Sequence, residues 1–269
     1  YDPEEPYEKD PEVKRKHVRN KAGGFRLGEK DGQEMPIGRI IISTWVDDLL
    51  VLTEHDEDLK WLTEKLEETF DLSPGSGEDI SMHLGMKIVT DKQNKLIKLS
   101  CEKAIDGLIH SLKGQLESKR VYSTPITKDS DMTRRQEDEQ QITEEMFPYR
   151  KVVGMLLHMA RTCRFDIVLA VSMLSSHLNS VAERHVNAAK RVVYYLKETK
   201  MLGLVYDGRQ TEIDLNRVKM YCDSDWNGDK DTRCSRSGYA VMYGGAAVEV
   251  FSKLQSLQCQ SSCQAETVS

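Results

Sequence analysis

The stretch TWVDDLLVLT, residues 44–53, places two adjacent aspartates inside a run of strand-forming residues. Two like charges side by side are unfavourable in a buried strand, so they predict an exposed turn between two short strands. Residues 39–43, RIIIS, supply the first of these strands because β-branched side chains favour extended backbone. The sequence therefore predicts a hairpin with Asp47 and Asp48 at its turn.

This aspartate pair has two interpretations. Aspartate is common in ordinary solvated turns, because its side chain accepts hydrogen bonds from nearby backbone N–H groups. A divalent metal also explains the pair, since Mg²⁺ is held by one or two carboxylates while water and phosphate complete its coordination. Phosphoryl transfer between nucleotides commonly uses two such ions. Spacing alone leaves both interpretations open.

The length and composition favour a globular chain. At 269 residues, with 39% apolar and 30% charged residues, the chain is long enough for two units that each bury a core. No apolar run reaches the 18 to 20 residues or so of a membrane helix, and no signal segment opens the chain. We therefore expect an intracellular protein, cytoplasmic or nuclear, that is neither secreted nor membrane-bound. Because the chain begins at Tyr1, we expect a piece of a longer protein.

Charge and cysteine usage narrow the chemistry further. The net charge of −6 and the pI near 5.7 argue against nucleic-acid binding through overall charge. The six cysteines show neither CxxC pairs nor zinc-finger spacing, so we expect free thiols in a reducing compartment. Nothing in the composition specifies an oligomeric state.

Hydrophobic periodicity predicts an α+β order of elements. An amphipathic helix with an acidic first turn follows the hairpin at residues 56–70, and a second hairpin is predicted from residues 84–90 and 96–100. Another helix covers residues 105–116. Residues 149–200 predict three further helices, and the alternation after Val218 predicts three antiparallel strands.

Breaks in these patterns define the expected domain organisation. Residues 128–147 carry few apolar side chains and predict an exposed acidic linker. The segments are an irregular region with basic and acidic residues at 1–37, an α/β region at 38–127, the linker at 128–147, a helical region at 148–207 and an antiparallel region at 215–269.

Two local basic patches stand out from the acidic chain. The first is a cluster in the N-terminal region that comprises Lys14, Arg15, Lys16, His17, Arg19, Lys21 and Arg26. The second lies in residues 149–200, where nine Lys or Arg against three Asp or Glu leave a surplus of six positive charges. Its candidate nucleic-acid-binding residues are Lys190, Arg191, Lys197 and Lys200. The alternative is that these side chains only solvate an amphipathic helix.

Seven motifs, taken in order, carry a family resemblance. They are WVDDLLVLTEHDEDL, HLGMKI, YSTP, YRKVVGMLLHMARTCRFDIVLAVSMLSSHL, HVNAAKRVVYYLKETKMLGLVYD, YCDSDWNGDKDTRCSRSGYAVMYGGAAV and SSCQAE. The chain over residues 38–269 resembles the polyprotein of copia-type LTR retrotransposons, in which reverse transcriptase is followed directly by RNase H. The resemblance implies the second half of a polymerase palm and a thumb at 38–127, a helical connection at 148–207 and the start of an RNase H-like fold at 215–269.

For the polymerase, the resemblance implies that Asp47 and Asp48 hold Mg²⁺ in a two-metal site. The family motif is Tyr-x-Asp-Asp, and Trp45 stands here in place of the tyrosine. The family site also needs an earlier aspartate and upstream dNTP and template contacts, and nothing in residues 1–37 resembles those segments. The partners implied for the parent protein are an RNA template, an RNA/DNA hybrid and dNTPs.

For RNase H, the resemblance implies four carboxylates around two metal ions. Asp223 matches the first of them. The second is normally the first glutamate of a helix-start motif, and here Gln264 occupies that position. Glu266 lies roughly 200° further around a helix, so it cannot simply replace a carboxylate at 264. The other two acids are expected beyond Ser269.

Taken together, these features predict a fragment of an RNA-directed DNA polymerase with RNase H that has little activity alone. Asp47, Asp48 and Asp223 are its candidate catalytic and metal residues. A non-catalytic RNA/DNA-binding module and a decayed retrotransposon relic are the alternatives.

Overall fold

A computed structural model describes residues 17–19, 25–27, 38–46, 48–73, 77, 80–116, 121–127, 129–209 and 217–268. Asp47 lies outside the described residues, and so do the side chains of the N-terminal basic cluster. The chain divides into two compact units, Tyr1–Ile80 and Ser81–Ser269. Among the described residues, no helix is both long and apolar enough to cross a bilayer.

The described residues of the first unit form two small antiparallel sheets and one helix. Its elements are β1 (His17–Arg19), β2 (Phe25–Leu27), β3 (Ile40–Trp45), β4 (Asp48–Thr53) and α1 (Asp56–Glu67). β1 pairs with β2, and β3 pairs with β4 as the predicted hairpin. α1 packs against β4, and its buried Asp58 accepts a 2.9 Å hydrogen bond from the backbone N–H of Gly38. The predicted hairpin and the acidic-start helix are thus confirmed.

The second unit contains two antiparallel sheets and five helices among its described residues. Its elements are β5 (Met82–His83), β6 (Met86–Asp91), β7 (Leu96–Ser100), α2 (Glu102–Ser111), α3 (Tyr149–Thr162), a 3-10 turn (Phe165–Ile167), α4 (Val168–Ser175), α5 (Glu183–Glu198), β8 (Gly203–Asp207), β9 (Lys219–Ser224), β10 (Arg236–Tyr243), β11 (Ala246–Leu254) and α6 (Ser262–Val268). The α+β class, the second hairpin, the three helices of residues 149–200 and the three later strands are confirmed.

The larger sheet has the order β5-β6-β7-β8 and joins distant parts of the chain. β8 follows the helices and returns to pair with β7, with Leu96 opposite Asp207 and Ser100 opposite Gly203. Helices α2 to α5 bury Ile105, Leu156 and other apolar residues in one core, and Leu204 of β8 packs against it. The regions predicted as 38–127 and 148–207 therefore share a core from residue 81 onward.

The smaller sheet has the order β11-β10-β9. Its tight turn uses Gly244 and Gly245, whose φ angles of 60° and 85° suit a type I′ hairpin that other residues adopt poorly. The sheet is attached to the helices through α4, because the hydroxyl of Ser172 donates to the backbone oxygen of Ser252 at 2.8 Å.

Residues 129–147 form neither helix nor strand and are mostly exposed, in keeping with a linker composition. They are nevertheless anchored to the helices. Met132 and Phe147 are buried, and the N–H of Ile142 donates to the backbone oxygen of Val181 at 2.9 Å. This segment lies inside the second compact unit.

The expectation that all six cysteines are free is wrong for one pair. Cys101, just before α2, and Cys163, just after α3, form a disulfide bond across 62 residues. The core brings the start of one helix to the end of another, and this proximity leaves no trace in local spacing. Cys222, Cys234, Cys259 and Cys263 are free thiols.

Candidate functional site

The predicted aspartate turn is a two-residue connection between β3 and β4. Trp45 pairs with Asp48 across the hairpin, so only Val46 and Asp47 connect the strands. Val46 is 94% exposed and has a φ of 55°, a left-handed conformation that a β-branched residue adopts at an energetic cost. Asp48 is exposed where β4 begins. The fold therefore presents one described carboxylate at the end of the hairpin.

The hairpin behind this turn is apolar and exposed. Ile41, Trp45, Leu49 and Leu52 are each between 44% and 61% accessible. An isolated two-stranded sheet is marginally stable in water, so the contacts to α1 matter for its position. At its far end, the side chain of Arg39 donates to Glu54 at 2.8 Å.

Asp223, the candidate RNase H carboxylate, lies on the edge strand β9. It is exposed and sits opposite Gly238 of β10 in the strand register. α6 packs against β9 and β10, which brings the helix-start motif to the same sheet. The predicted strand and helix around this position are present, and Asp223 lies in the second unit whereas Asp48 lies in the first.

Gln264 has a structural use at the start of α6. Its side-chain oxygen accepts a hydrogen bond from the backbone N–H of Gln260 at 2.9 Å. The backbone N–H of Gln264 donates to the hydroxyl of Ser261 at 3.2 Å. This reciprocal arrangement resembles a capping box, which satisfies N–H groups at the helix start. The side-chain amide of Gln264 therefore caps the N-terminus of α6. Glu266 is exposed two residues further on.

The loop after β9 is built by its aspartates. Asp229 accepts the backbone N–H of Thr232 at 2.8 Å and the Thr232 hydroxyl at 2.7 Å. Asp231 accepts the backbone N–H of Arg134 at 2.8 Å and so ties the loop to the 129–147 segment. These bonds give Asp229 a turn-forming role. In the part of the chain that the structure describes, no group of three or more His, Cys, Asp or Glu side chains could hold a metal ion.

Three of the four predicted nucleic-acid-binding cations contact the protein itself. Arg191 donates to the backbone oxygen and the hydroxyl of Thr124 at 3.2 and 3.1 Å, and its guanidinium lies 4.3 Å from the ring centre of Tyr122. Lys190 lies 5.6 Å from the ring centre of Phe147. Lys200, the third, forms an ion pair with Asp106 at 3.1 Å. The fourth cation, Lys197, is exposed.

Sequence reasoning missed a buried ionic network at the end of α3. Arg164 was counted only in the positive surplus, yet it is 1% exposed. It forms a bidentate pair with Asp166 at 2.9 and 2.7 Å and also donates to the backbone oxygen of Thr199 at 3.0 Å. The Arg-x-Asp spacing was a signal for this pair. Oppositely charged residues two positions apart in the sequence can form an ion pair at the end of a helix.

A stacked pair of histidines was also missed. The rings of His177 and His185 lie 3.9 Å apart at an angle of 18°, and both residues are buried. His185 accepts the backbone N–H of Ala182 at Nδ1, and its Nε2 contacts the backbone oxygen of Thr133 at 2.8 Å. Because Nδ1 accepts, Nε2 carries the proton and donates. Burial is the main cause that lowers the pKa of His177 to about 4 and lowers that of His185.

Comparison with known proteins finds relatives among transposon proteins. The chain is 29% identical over 233 residues to a retrovirus-related Pol polyprotein from transposon TNT 1-94 of Nicotiana tabacum, which covers 85% of this chain and 17% of that protein. It is 38% identical over 118 residues to the Pol polyprotein from transposon RE1 of Arabidopsis thaliana, covering 44% of this chain and 8% of that protein. The chain is therefore similar to retrovirus-related Pol polyproteins from transposons, and it spans less than a fifth of the length of these two relatives.

A relative with a different name shares part of this sequence. Secreted RxLR effector protein 161 of Plasmopara viticola is 34% identical over 119 residues, which cover 44% of this chain and 81% of that protein. No family model and no solved structure matches the chain.

Proposed function

We propose that the chain is the part of a copia-type Pol polyprotein that carries the polymerase turn of the reverse transcriptase and the start of its RNase H domain. The parent protein would copy an RNA template into DNA, with the primer 3′-hydroxyl attacking the α-phosphate of a dNTP. Asp47 and Asp48 would be the metal-binding carboxylates of that reaction. Asp223 would be the first carboxylate of RNase H.

The two-residue turn at the end of the β3–β4 hairpin is the observation that supports this proposal. The exposed carboxylate of Asp48 lies beside this turn, where a polynucleotide can approach it from solvent. A left-handed valine at such a turn costs energy, and strained backbone of this kind is concentrated at functional sites. The family relationship gives the turn its chemical interpretation.

The described residues do not fit a complete magnesium site. Two Mg²⁺ ions need several carboxylates besides water and phosphate, and no group of three or more acidic, His or Cys side chains that could hold a metal is found in the described parts of the chain. Gln264 supplies an amide where the family has a carboxylate, and that amide caps a helix. We therefore propose that the chain alone catalyses neither DNA synthesis nor RNA cleavage, and that the parent protein completes the polymerase and RNase H sites.

Primer extension tests the contribution of the turn. In an active copia-type reverse transcriptase, the corresponding hairpin is replaced by residues 40–53 of this chain, and extension of oligo(dT) on poly(rA) is measured with Mg²⁺. We expect the chimera to extend the primer, and Asp47→Asn with Asp48→Asn to reduce the rate by about 10²-fold or more, as for the loss of other preorganised charges in active sites. A second chimera that carries residues 40–67 also contains Glu57, an exposed acid of α1, and its Glu57→Gln variant is the matched control that should leave the rate unchanged.

The full chain alone provides the second part of this experiment. It should give the same signal as its own Asp47→Asn, Asp48→Asn variant. Extension by the wild-type chain above that variant would show that the site is complete, contrary to the proposal.

The second candidate function is binding of an RNA/DNA hybrid without catalysis. The exposed Lys197 favours this function, because its ammonium group is accessible whereas Lys190 and Arg191 of α5 contact other residues of the chain. We expect Lys197→Ala to reduce the slope of log affinity against log salt by about one, as for a phosphate contact. Arg191→Ala should instead lower the free energy of unfolding by about 1–2 kcal/mol, because it removes the bonds to Thr124 and the contact with Tyr122. Equal loss of affinity in both variants would contradict this division of roles.

A further inference from the structure

A cleft of about 350 Å³ lies between α4, the loop after β9 and a group formed by Ile126, Thr127, Ser130 and Met132. One wall is apolar and includes Met132, Leu169 and Met173. The side chain of methionine is flexible and polarisable, so such a wall can adapt to a flat apolar group. The volume lies at the lower end of the range for small-molecule sites. The cleft is thus large enough for one compact ligand.

The cleft also contains a cation that lacks a full set of partners. Arg236, at the start of β10, is half-buried and donates from Nη1 to the hydroxyl of Ser172 at 2.8 Å. Within the described residues, no carboxylate lies at ion-pair distance from its guanidinium, and Nε and Nη2 have no acceptor. Burial lowers the pKa of Arg236 even though the charges of Asp225 and Asp229 act to raise it. A guanidinium in this environment favours an anion that accepts its free N–H groups.

The two acids of the cleft are already used by the loop. Asp225 accepts the backbone N–H of Arg236, and Asp229 accepts both the N–H and the hydroxyl of Thr232. The carboxylate of Asp225 also fills the space beside Gly228, where an added Cβ would lie 1.9 Å from its Oδ2. These bonds fix the carboxylates on the loop backbone, whereas Lys230 is an exposed second cation that can turn toward a ligand.

The geometry points to a binding site for a nucleoside monophosphate, with its phosphate on Arg236 and Lys230 and its base against Met132, Leu169 and Met173. A planar guanidinium binds two phosphate oxygens at once, and a flexible ammonium adds a second positive charge. The base would cover the apolar wall, and its ribose hydroxyls would donate to the outer oxygens of the acids. The site uses neither Asp48 nor Asp223 and does not depend on the polymerase assignment. The nucleotide can be free or can be the phosphorylated end of a strand.

Calorimetric titration of the full chain with AMP at constant ionic strength tests this site. We expect wild type to bind AMP and Arg236→Gln to bind it at least about tenfold more weakly, because hydrogen bonds to charged groups are the stronger class. Lys230→Gln, at an exposed position, should weaken binding several-fold while leaving the fold intact. Arg233→Gln is the matched control, since it removes the same charge from an exposed residue of the same loop and should bind AMP as wild type does.

Other probes separate the parts of the ligand. Adenosine and inorganic phosphate should each bind more weakly than AMP, because each lacks one half of the contacts. Competition with AMP by a 5′-phosphorylated oligo(dT), but not by the unphosphorylated strand, would support the site and identify a strand end as the source. Absence of such competition alongside AMP binding would support the free nucleotide. The proposal is overturned if wild type does not bind AMP, if Arg236→Gln and Lys230→Gln bind it as wild type does, or if inorganic phosphate binds as tightly as AMP.

Discussion

Replacing Arg164 with methionine is expected to lower the free energy of unfolding by about 2–4 kcal/mol, less than for a fully buried ion pair because the side chain of Asp166 is 34% exposed. The guanidinium is 1% exposed and is the main partner of the Asp166 carboxylate. Although burial acts to raise the pKa of Asp166, hydrogen bonds from Arg164 and Tyr195 hold it below its ordinary value. Without the arginine, the carboxylate and the backbone oxygen of Thr199 lose their strongest donors.

Urea unfolding followed by circular dichroism measures this effect. Arg161→Met, which changes an exposed arginine in the last turn of α3, should alter stability by no more than about 0.5 kcal/mol. The double variant Arg164→Met, Asp166→Leu should recover part of the loss, since it removes the unpaired carboxylate as well. A loss below about 1 kcal/mol for Arg164→Met would show that the network contributes little.

Acid is expected to destabilise the second unit through the stacked histidines. The pKa of His177 is lowered from 6.5 to about 4, so the unfolded chain binds a proton between these values while the folded chain does not. Above pH 6.5 both states are neutral, and His177 contributes no pH dependence. As pH falls from 6.5 to 4, stability is lost by up to roughly 3 kcal/mol, and below pH 4 this loss is complete.

Burial is the largest cause of the lowered pKa of both His177 and His185. Nδ1 of His185 accepts the N–H of Ala182, so a proton there would break that bond. The two rings lie 3.9 Å apart, and a charge on one disfavours a charge on the other. The nearby Arg184 guanidinium also disfavours protonation, whereas the carboxylate of Asp231 favours it at His177.

His177→Phe keeps a stacked ring without a titrating group. We expect this variant to lose much less stability than wild type between pH 6.5 and 4.5, whatever its stability at pH 7.5. His110→Gln, at an exposed histidine of α2, should keep the wild-type dependence. Urea unfolding at a series of pH values gives these slopes, and an unchanged slope in His177→Phe would assign the acid sensitivity to other groups.

The local elements were predictable because their information is local. Alternating residues predict the β3–β4 and β6–β7 hairpins, and the apolar faces at helical spacing predict α2 to α5. The return of β8 to pair with β7 was not predictable, since it joins residues about 100 positions apart. The disulfide between Cys101 and Cys163 depends on the same long-range packing.

The candidate site was predictable only in part for a similar reason. The sequence locates Asp48 beside a tight turn and Asp223 on a strand. It does not reveal that Gln264 caps a helix or that Arg191 binds Thr124, because those roles are set by partners that the fold supplies. The charge of Arg236 was visible in the sequence, and its incomplete pairing was not.

Primer extension by the hairpin chimera tests the central claim most directly. If residues 40–53 carry the polymerase turn of a retrotransposon Pol protein, the chimera extends oligo(dT) on poly(rA), and Asp47→Asn with Asp48→Asn reduces the rate by about 10²-fold or more. A chimera that extends the primer equally well with and without these two carboxylates would contradict the claim.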